Sequence, residues 1–371
     1  MEQQAGIREF LDMLKRLSDA FGVSGFEDHI REIVLDFLEP VADELWVDSM
    51  GNVYAVRKGG RGEPKIMLDA HMDEIGLMVR HIEKNGFIRF LPVGGWVDYV
   101  LPGQRVRILA DDGSLVRGVV GVLPPHILQG EERRKSPSIE EMWIDIGASS
   151  REEVENLGIR IGSPIDIDRE LIVLQGGKVT GKSLDDRAGV AIALEAFRNV
   201  EEHESTIVLT ITVQEETGLK GVRPAAYTIE PDLAIELDVT SAADVPGVPE
   251  YKQVSKVGAG PIIKVADGRA ASGLLPSRPL LKLLEEIASE EGIPYQRAVL
   301  PGGTTNATAI SLTKKGVPSV VVAVPTRYLH SPVELMSLND AINAARLVKA
   351  ALKRVNREWY EKNLSWKRLK G

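Results

Sequence analysis

Thr206-Ile-Val-Leu-Thr-Ile-Thr-Val213 is a short β-branched run, followed by Gln214 and two adjacent glutamates, Glu215 and Glu216. A run of this length and composition reads as a buried strand. Paired acids at its carboxyl end stand where open α/β sheets build their active sites. The chain is therefore expected to fold around an α/β sheet with a chemically active edge. One glutamate is expected to bind a metal while its neighbour handles a proton.

The flanking pattern agrees with a sheet covered by helices. Residues 7–20 place Ile7, Phe10, Leu11, Leu14 and Leu17 on one helical face. Ser24 and Glu27 form a capping-box pattern ahead of a second helix containing Ile30, Val34, Phe37 and Leu38. Strands are expected at 44–48, 52–57, 65–69, 206–213, 233–238 and 319–324, and helices at 187–200 and 279–291. Ser337-x-x-Asp340 is expected to cap a long C-terminal helix. Between about 75 and 168 the segments are short, β-rich and broken by Gly94-Gly95, Pro102-Gly103, Asp112-Gly113 and Pro124-Pro125. This reads as a small β-barrel or sandwich inserted into one α/β domain. The division is residues 1–73 plus 169–371 for the α/β domain and 74–168 for the β module. No internal repeat or low-complexity segment interrupts it.

Composition narrows the function. With 371 residues the chain is long enough for more than one domain. Its net charge of −9 disfavours nucleic acid as a partner, and the short basic tail Lys367-Arg368-Leu369-Lys370 reads as a solvated terminus. No apolar run is long enough to span a bilayer, so no membrane partner is expected. Zero cysteines exclude disulfides and thiolate zinc sites. Met1-Glu-Gln-Gln lacks the basic and apolar regions of a signal peptide, and a cytoplasmic location is expected.

Several presumed strands end in a metal-ligand residue type. One leads into His71-Met-Asp73, another into Glu215-Glu216, a third into Asp238, and a fourth through a short loop into His330. Asp185, in Gly181-Lys-Ser-Leu-Asp185-Asp186-Arg187, stands just ahead of a helix. Taken singly, an Asp-Asp pair before a helix is capping, and a Glu pair in a loop is a solvated face. Their joint occurrence at strand ends is the signal. Two histidines and three carboxylates suit a pair of divalent ions, each held by one His and one acid, with the third acid bridging. Mixed imidazole and oxygen donors favour Zn²⁺, Co²⁺ or Mn²⁺ over Ca²⁺. Two such metals would polarise a carbonyl and acidify a shared water, leaving the unliganded glutamate as general base.

The segments Ala70-His71-Met72-Asp73-Glu-Ile-Gly76, Leu184-Asp185-Asp186-Arg187, Val213-Gln214-Glu215-Glu216-Thr-Gly218, Asp238-Val-Thr240, Asp244-Val-Pro-Gly247 and Tyr328-Leu-His330-Ser331 together resemble the tetrahedral aminopeptidase family. Its members are also described as glutamyl or deblocking aminopeptidases, and some as endoglucanases. The resemblance runs in order through nearly the whole chain. It implies a mixed-sheet α/β metallopeptidase domain with an inserted PDZ-like β-barrel that makes dimer contacts. It also implies a dinuclear aminopeptidase that releases N-terminal residues from short peptides. Asp185 would bridge the two ions, His71 and Asp238 would hold one, and Glu216 and His330 the other. Glu215 would be the base and Asp73 the carboxylate that orients His71. The resemblance further implies a homo-oligomer, expected to be a dodecamer built from dimers.

Two features bear on specificity. Pro124-Pro-His126-Ile127 and the charged stretch after it resemble a loop that in relatives reaches a neighbouring subunit's active site. Where relatives often carry Gly-Gly-Gly-Thr-Asp-Ala-Gly-Ala-Ile, this chain has Gly302-Gly303-Thr304-Thr305-Asn306-Ala307-Thr308-Ala309-Ile310. Asn306 in place of an aspartate removes a charge, so neutral or acidic first residues are expected to be preferred over basic ones. Two alternatives remain open at this stage. Glycoside hydrolysis would need two carboxyl groups flanking a sugar, usually without metals, whereas these acids come with histidine partners. A non-catalytic shell would not need an intact ligand set.

Overall fold

The structure, a computed structural model, describes residues 2–124, 126–127 and 136–365. The charged stretch after Ile127 and the basic tail lie outside the described residues. Helices α1 (Glu2–Asp19) and α2 (Asp28–Leu38) lead into β1 (Glu44–Val47), β2 (Val53–Arg57) and β3 (Gly62–His71). Next come β4 (Gly76–Ile82), β5 (Ile88–Val93), β6 (Arg105–Leu109), β7 (Leu115–Gly121), β8 (Trp143–Asp145), α3 (Arg151–Asn156) and β9 (Pro164–Ile167). The chain then runs through β10 (Ile172–Val173), β11 (Lys178–Gly181), α4 (Leu184–Asn199), β12 (Ser205–Thr212), α5 (Val222–Ile229) and β13 (Leu233–Ser241). It ends with β14 (Ile262–Ala266), α6 (Arg278–Glu290), β15 (Gln296–Val299), α7 (Asn306–Ser311), β16 (Ser319–Arg327), β17 (Glu334–Ser337), α8 (Leu338–Arg354) and α9 (Arg357–Asn363).

The main sheet has 11 strands, ordered β1-β2-β12-β3-β13-β16-β17-β11-β10, with β14 joined to β16 and β15 to β14. Its centre, β12-β3-β13-β16, is parallel throughout. These strands are apolar on both faces because both are covered, as parallel sheets require. On β3, Ile66 and Leu68 pack into one core with Leu14, Leu194, Phe197, Leu284 and Leu347, while Met67 points into another with Val222, Ile229 and Ile310. Helices α1, α4, α6 and α8 thus cover one face and α5 and α7 the other. This bears out the expected mixed-sheet α/β class. Strands β4-β5-β8-β7-β6-β9 close into a separate antiparallel barrel with its own core, which includes Leu77, Ile88, Val106, Val120, Ile144 and Ile165. Among the described residues, no helix is long and apolar enough to cross a membrane.

Two expected caps are not formed. Glu27 stands at the N-cap of α2 without a side-chain cap bond. Its Oε1 instead accepts from Gly25 N (2.7 Å) and Gln214 N (3.2 Å), and Ser24 Oγ lies 3.0 Å from Thr217 Oγ1. Both residues are drawn to the loop that carries Glu215 and Glu216. Ser337 likewise makes no cap bond to α8, and Asp340 accepts from Gly258 N (2.6 Å) and Gly260 N (2.9 Å). In both places a side chain that fits a local cap ties down a distant loop, where the backbone N–H groups have no helix or sheet partner.

The barrel is fastened to the sheet by buried charges. Lys182 Nζ lies 2.7 Å from Glu74 Oε1 and 3.3 Å from Asp166 Oδ2. Asp166, on β9, also accepts from Arg107 Nε on β6 (2.9 Å), and Arg187 Nη2 lies 3.5 Å from Glu74. Breaking a buried pair strands a charge in low dielectric. Lys182→Met is expected to lower the unfolding free energy by about 3 kcal/mol, the low end for such a loss because Glu74 keeps Arg187 and Asp166 keeps Arg107. Urea denaturation measures it, and a midpoint equal to the wild type's would show that Lys182 contributes no net stability.

Candidate active site

Parallel pairing decides which side chains meet. Thr212 on β12 is level with His71 on β3, and Glu236 on β13 is level with Asp69 on β3. Side chains alternate along a strand, so His71 and Asp238, each two residues further on, share a face and a level. Glu215 and Glu216 follow β12 by a few residues, and His330 follows β16. Asp185 and Asp186 open α4 with non-helical backbone angles, which turn their side chains toward the strand ends.

The predicted residues converge. His71 Nε2 lies 3.2 Å from Asp185 Oδ1 and 3.9 Å from Glu215 Oε2. His330 Nε2 lies 3.6 Å from Asp185 Oδ2 and 3.5 Å from Glu216 Oε2. The two oxygens of Asp185 therefore face different histidines. Ligand atoms of His71, Asp185 and Glu216 lie within 4.8 Å of one another, as do those of His71, Asp186 and Asp238, so either group could hold a metal ion. Asp73 Oδ1 is 3.3 Å from His71 Nδ1, and the Asp73 carboxylate accepts from Glu215 N (2.9 Å) and Glu216 N (3.1 Å). One buried acid thus ties the His71 loop to the glutamate loop.

Five residues in or beside these loops hold left-handed backbone without being glycine: Ser183 (φ 58), Gln214 (φ 55), Leu219 (φ 54), Tyr328 (φ 61) and His330 (φ 57). Each such residue costs on the order of 1–3 kcal/mol and persists only where its surroundings enforce it. The barrel reaches the same place. A Cβ added to Gly95 would come 3.1 Å from His330 Nδ1, so the β5–β6 loop passes against that ring.

The electrostatics are those of acids crowded without enough positive charge. Burial, opposed by His71, pushes Glu215 up to about 8. Burial and then Asp185 push Glu216 well above the usual carboxylate range and Asp238 up to about 6. Against burial, the two histidines hold Asp185 below its ordinary value. Burial lowers the histidines, but Asp185 overcomes it and raises both, His330 to about 10. Asp186 Oδ2 and Glu216 Oε1 are buried and find no hydrogen-bond partner among the described residues. A donor set of imidazoles and mutually repelling carboxylates with unfilled oxygens fits divalent cations.

Sequence reasoning missed part of this site. Asp186 reads as a helix cap, and its Oδ1 does accept from Gly189 N (2.9 Å), but its carboxylate also lies with His71 and Asp238 in one group of ligand atoms. Asp69 and Glu236 form a deeper tier. Asp69 accepts from Thr210 Oγ1 (2.5 Å) and Asn306 Nδ2 (2.9 Å), and Glu236 from Thr305 Oγ1 (2.8 Å). Period-two spacing from His71 and Asp238 is the signal that would have found both. Asn306 is buried, and its Nδ2 also donates to Thr212 Oγ1 (2.9 Å). It braces the sheet instead of lining an open pocket. His126 is exposed in a turn closed by Ile127 N donating to Pro124 O (3.0 Å).

Fold and cluster together define a mixed-sheet α/β protein whose strand ends gather a donor set suited to divalent cations. The model of the M42 glutamyl aminopeptidase family matches residues 51–347, and the chain belongs to that family. It is 39% identical over 345 residues to the lysyl aminopeptidase of Pyrococcus furiosus, covering 92% of this chain and 96% of that one. It superposes on aminopeptidase APDkam598 from Desulfurococcus kamchatkensis with a TM-score of 0.93 and 43% identity, over 97% and 99% of the two chains. The TET1 peptidase of Pyrococcus horikoshii, which can assemble into a tetrahedron or a large octahedral shell, matches with a TM-score of 0.82 and 33% identity, over 93% and 100%. These findings bear out the resemblance to the tetrahedral aminopeptidases and the assignment as an aminopeptidase.

Proposed function

We propose that the protein is a dinuclear metallo-aminopeptidase that removes N-terminal residues from short peptides. The observation that carries this reading is Asp185, whose two oxygens face His71 and His330 separately. A carboxylate so placed suits a bridge between two ions. His71 and Asp238 would hold one ion, and Glu216 and His330 the other. The imidazole–carboxylate donor set favours zinc or cobalt, which when bound would supply Lewis acidity and make water a nucleophile at neutral pH.

The chain's own residues do the rest. Glu215 sits beside the cluster, farther from His71 than Asp185 is, and takes the role of general base and proton carrier. Asp73 holds Glu215 by its backbone and orients the His71 ring. The surplus of acids draws in the substrate's terminal ammonium. The preference for neutral and acidic first residues over basic ones rests on how residues 302–310 differ from the relatives' segment, since the Asn306 side chain itself is turned to Asp69 and Thr212. The protein assembles as a dodecamer built from dimers. The barrel is the dimer contact, its exposed Leu157, Ile161 and Val119 offering apolar surface.

Glu215→Gln is expected to lower kcat by about 10²–10⁴-fold, the usual worth of a general base, with metal content unchanged. Retained turnover would remove Glu215 from that role. Chelation should abolish activity in the wild type and added Zn²⁺ or Co²⁺ restore it, whereas a metal-free glycosidase reaction would survive. A panel of aminoacyl-chromophore substrates should show neutral or acidic first residues cleaved faster than Lys or Arg; strong preference for Lys or Arg overturns that specificity. Light scattering behind size exclusion should give a twelve-subunit mass, and a dimer mass would reject the closed shell.

A further inference from the structure

Glu334 is a buried acid that neither the sequence motifs nor the ligand set accounts for. It opens β17, four residues after His330. Its Oε2 accepts from Asp185 N (2.9 Å), and its Oε1 accepts from His330 N (2.9 Å). The two donors are the backbone amides of residues far apart in the chain whose side chains also meet, His330 Nε2 lying 3.6 Å from Asp185 Oδ2. Glu334 therefore does for Asp185 and His330 what Asp73 does for Glu215 and Glu216: one carboxylate receives the N–H groups of two residues that face the cluster.

The need for such an anchor is visible in the backbone. His330 is in the left-handed region (φ 57), and Asp185 departs from helical angles at the head of α4. Neither amide is supplied with a partner by regular secondary structure. The carboxylate gives each amide its own oxygen, and the rigid spacing of those two oxygens holds the spacing of the amides.

We propose that Glu334 is a positioning residue, which sets the separation of Asp185 and His330 and thereby the geometry of the site they form. It touches neither substrate nor the reacting atoms. The inference rests on the reading of Asp185 and His330 as metal ligands. Glu334→Gln keeps the size of the side chain and one accepting oxygen, but turns an amide NH₂ toward one of the two N–H groups. Because it removes a buried negative charge from a crowd of acids, the fold is expected to survive, and circular dichroism with thermal melting verifies this. Glu334→Asp, one methylene shorter, gives a second variant that keeps the charge and loses the reach.

The test titrates metal-free protein with Co²⁺ alone, following visible absorption and calorimetry, for the wild type, both Glu334 variants and His330→Ala. The expected result is ~10–100-fold weaker binding of at least one Co²⁺ in both Glu334 variants, the usual cost of losing a group that orients ligands. An altered cobalt spectrum and a lower kcat at nearly unchanged KM should accompany it. Wild-type affinity and spectrum in the Glu334 variants, with binding lost in His330→Ala, overturns the positioning role. Unchanged binding in His330→Ala as well overturns the ligand reading, and the proposal with it.

Discussion

Crowded negative charge at the carboxyl ends of the parallel strands is the constraint on which the rest of the molecule depends. Asp185, Asp186, Glu215, Glu216 and Asp238 gather around His71 and His330, with Asp69 and Glu236 in a deeper tier. Removing one such charge from water costs several kcal/mol unless opposite charge or N–H donors surround it. The chain supplies donors where it can. Asp73 and Glu334 each collect two backbone amides, and Asp69 collects a hydroxyl and the Asn306 amide. They leave Asp186 Oδ2 and Glu216 Oε1 buried without a hydrogen-bond partner among the described residues.

The surrounding architecture holds that arrangement rigid. Four parallel strands buried on both faces fix the level of His71 against Asp238 and of Thr212 against His71. The barrel is no loose appendage, because Lys182 joins Glu74 to Asp166 three residues before Asp185. The segment that carries the central carboxylate is therefore anchored at one side to the barrel and at the other to Glu334. Left-handed residues in or beside three loops persist because these anchors leave no cheaper conformation.

Much of this was legible in the chain. The strand ending at Glu215-Glu216, the helix ending near Val200 and the β-rich insert follow from periodicity and β-branching, signals that act over a few residues. Most of the motif residues meet because strand ends converge in a parallel sheet, while Asp185 reaches them from the start of α4. The misses share one cause. Glu27 and Asp340 look like local caps, yet they accept from Gln214 and from Gly258 and Gly260 in distant loops, and Asp186, which does accept locally from Gly189, also joins the His71–Asp238 group. A local pattern shows that a side chain can accept a hydrogen bond, not which donor it finds.

By itself the sequence determined the α/β class, the inserted β module, the strand ends that carry chemistry and, through its motifs, the family. Those depend on hydrophobic spacing and residue type, which are properties of short segments. Only the tertiary structure decided that Asp185 turns one oxygen to each histidine, that Asn306 braces Asp69, and that Glu334 grips the amides of Asp185 and His330. These are matters of ångström-scale distance between residues far apart in the chain, and sheet register and domain packing set them.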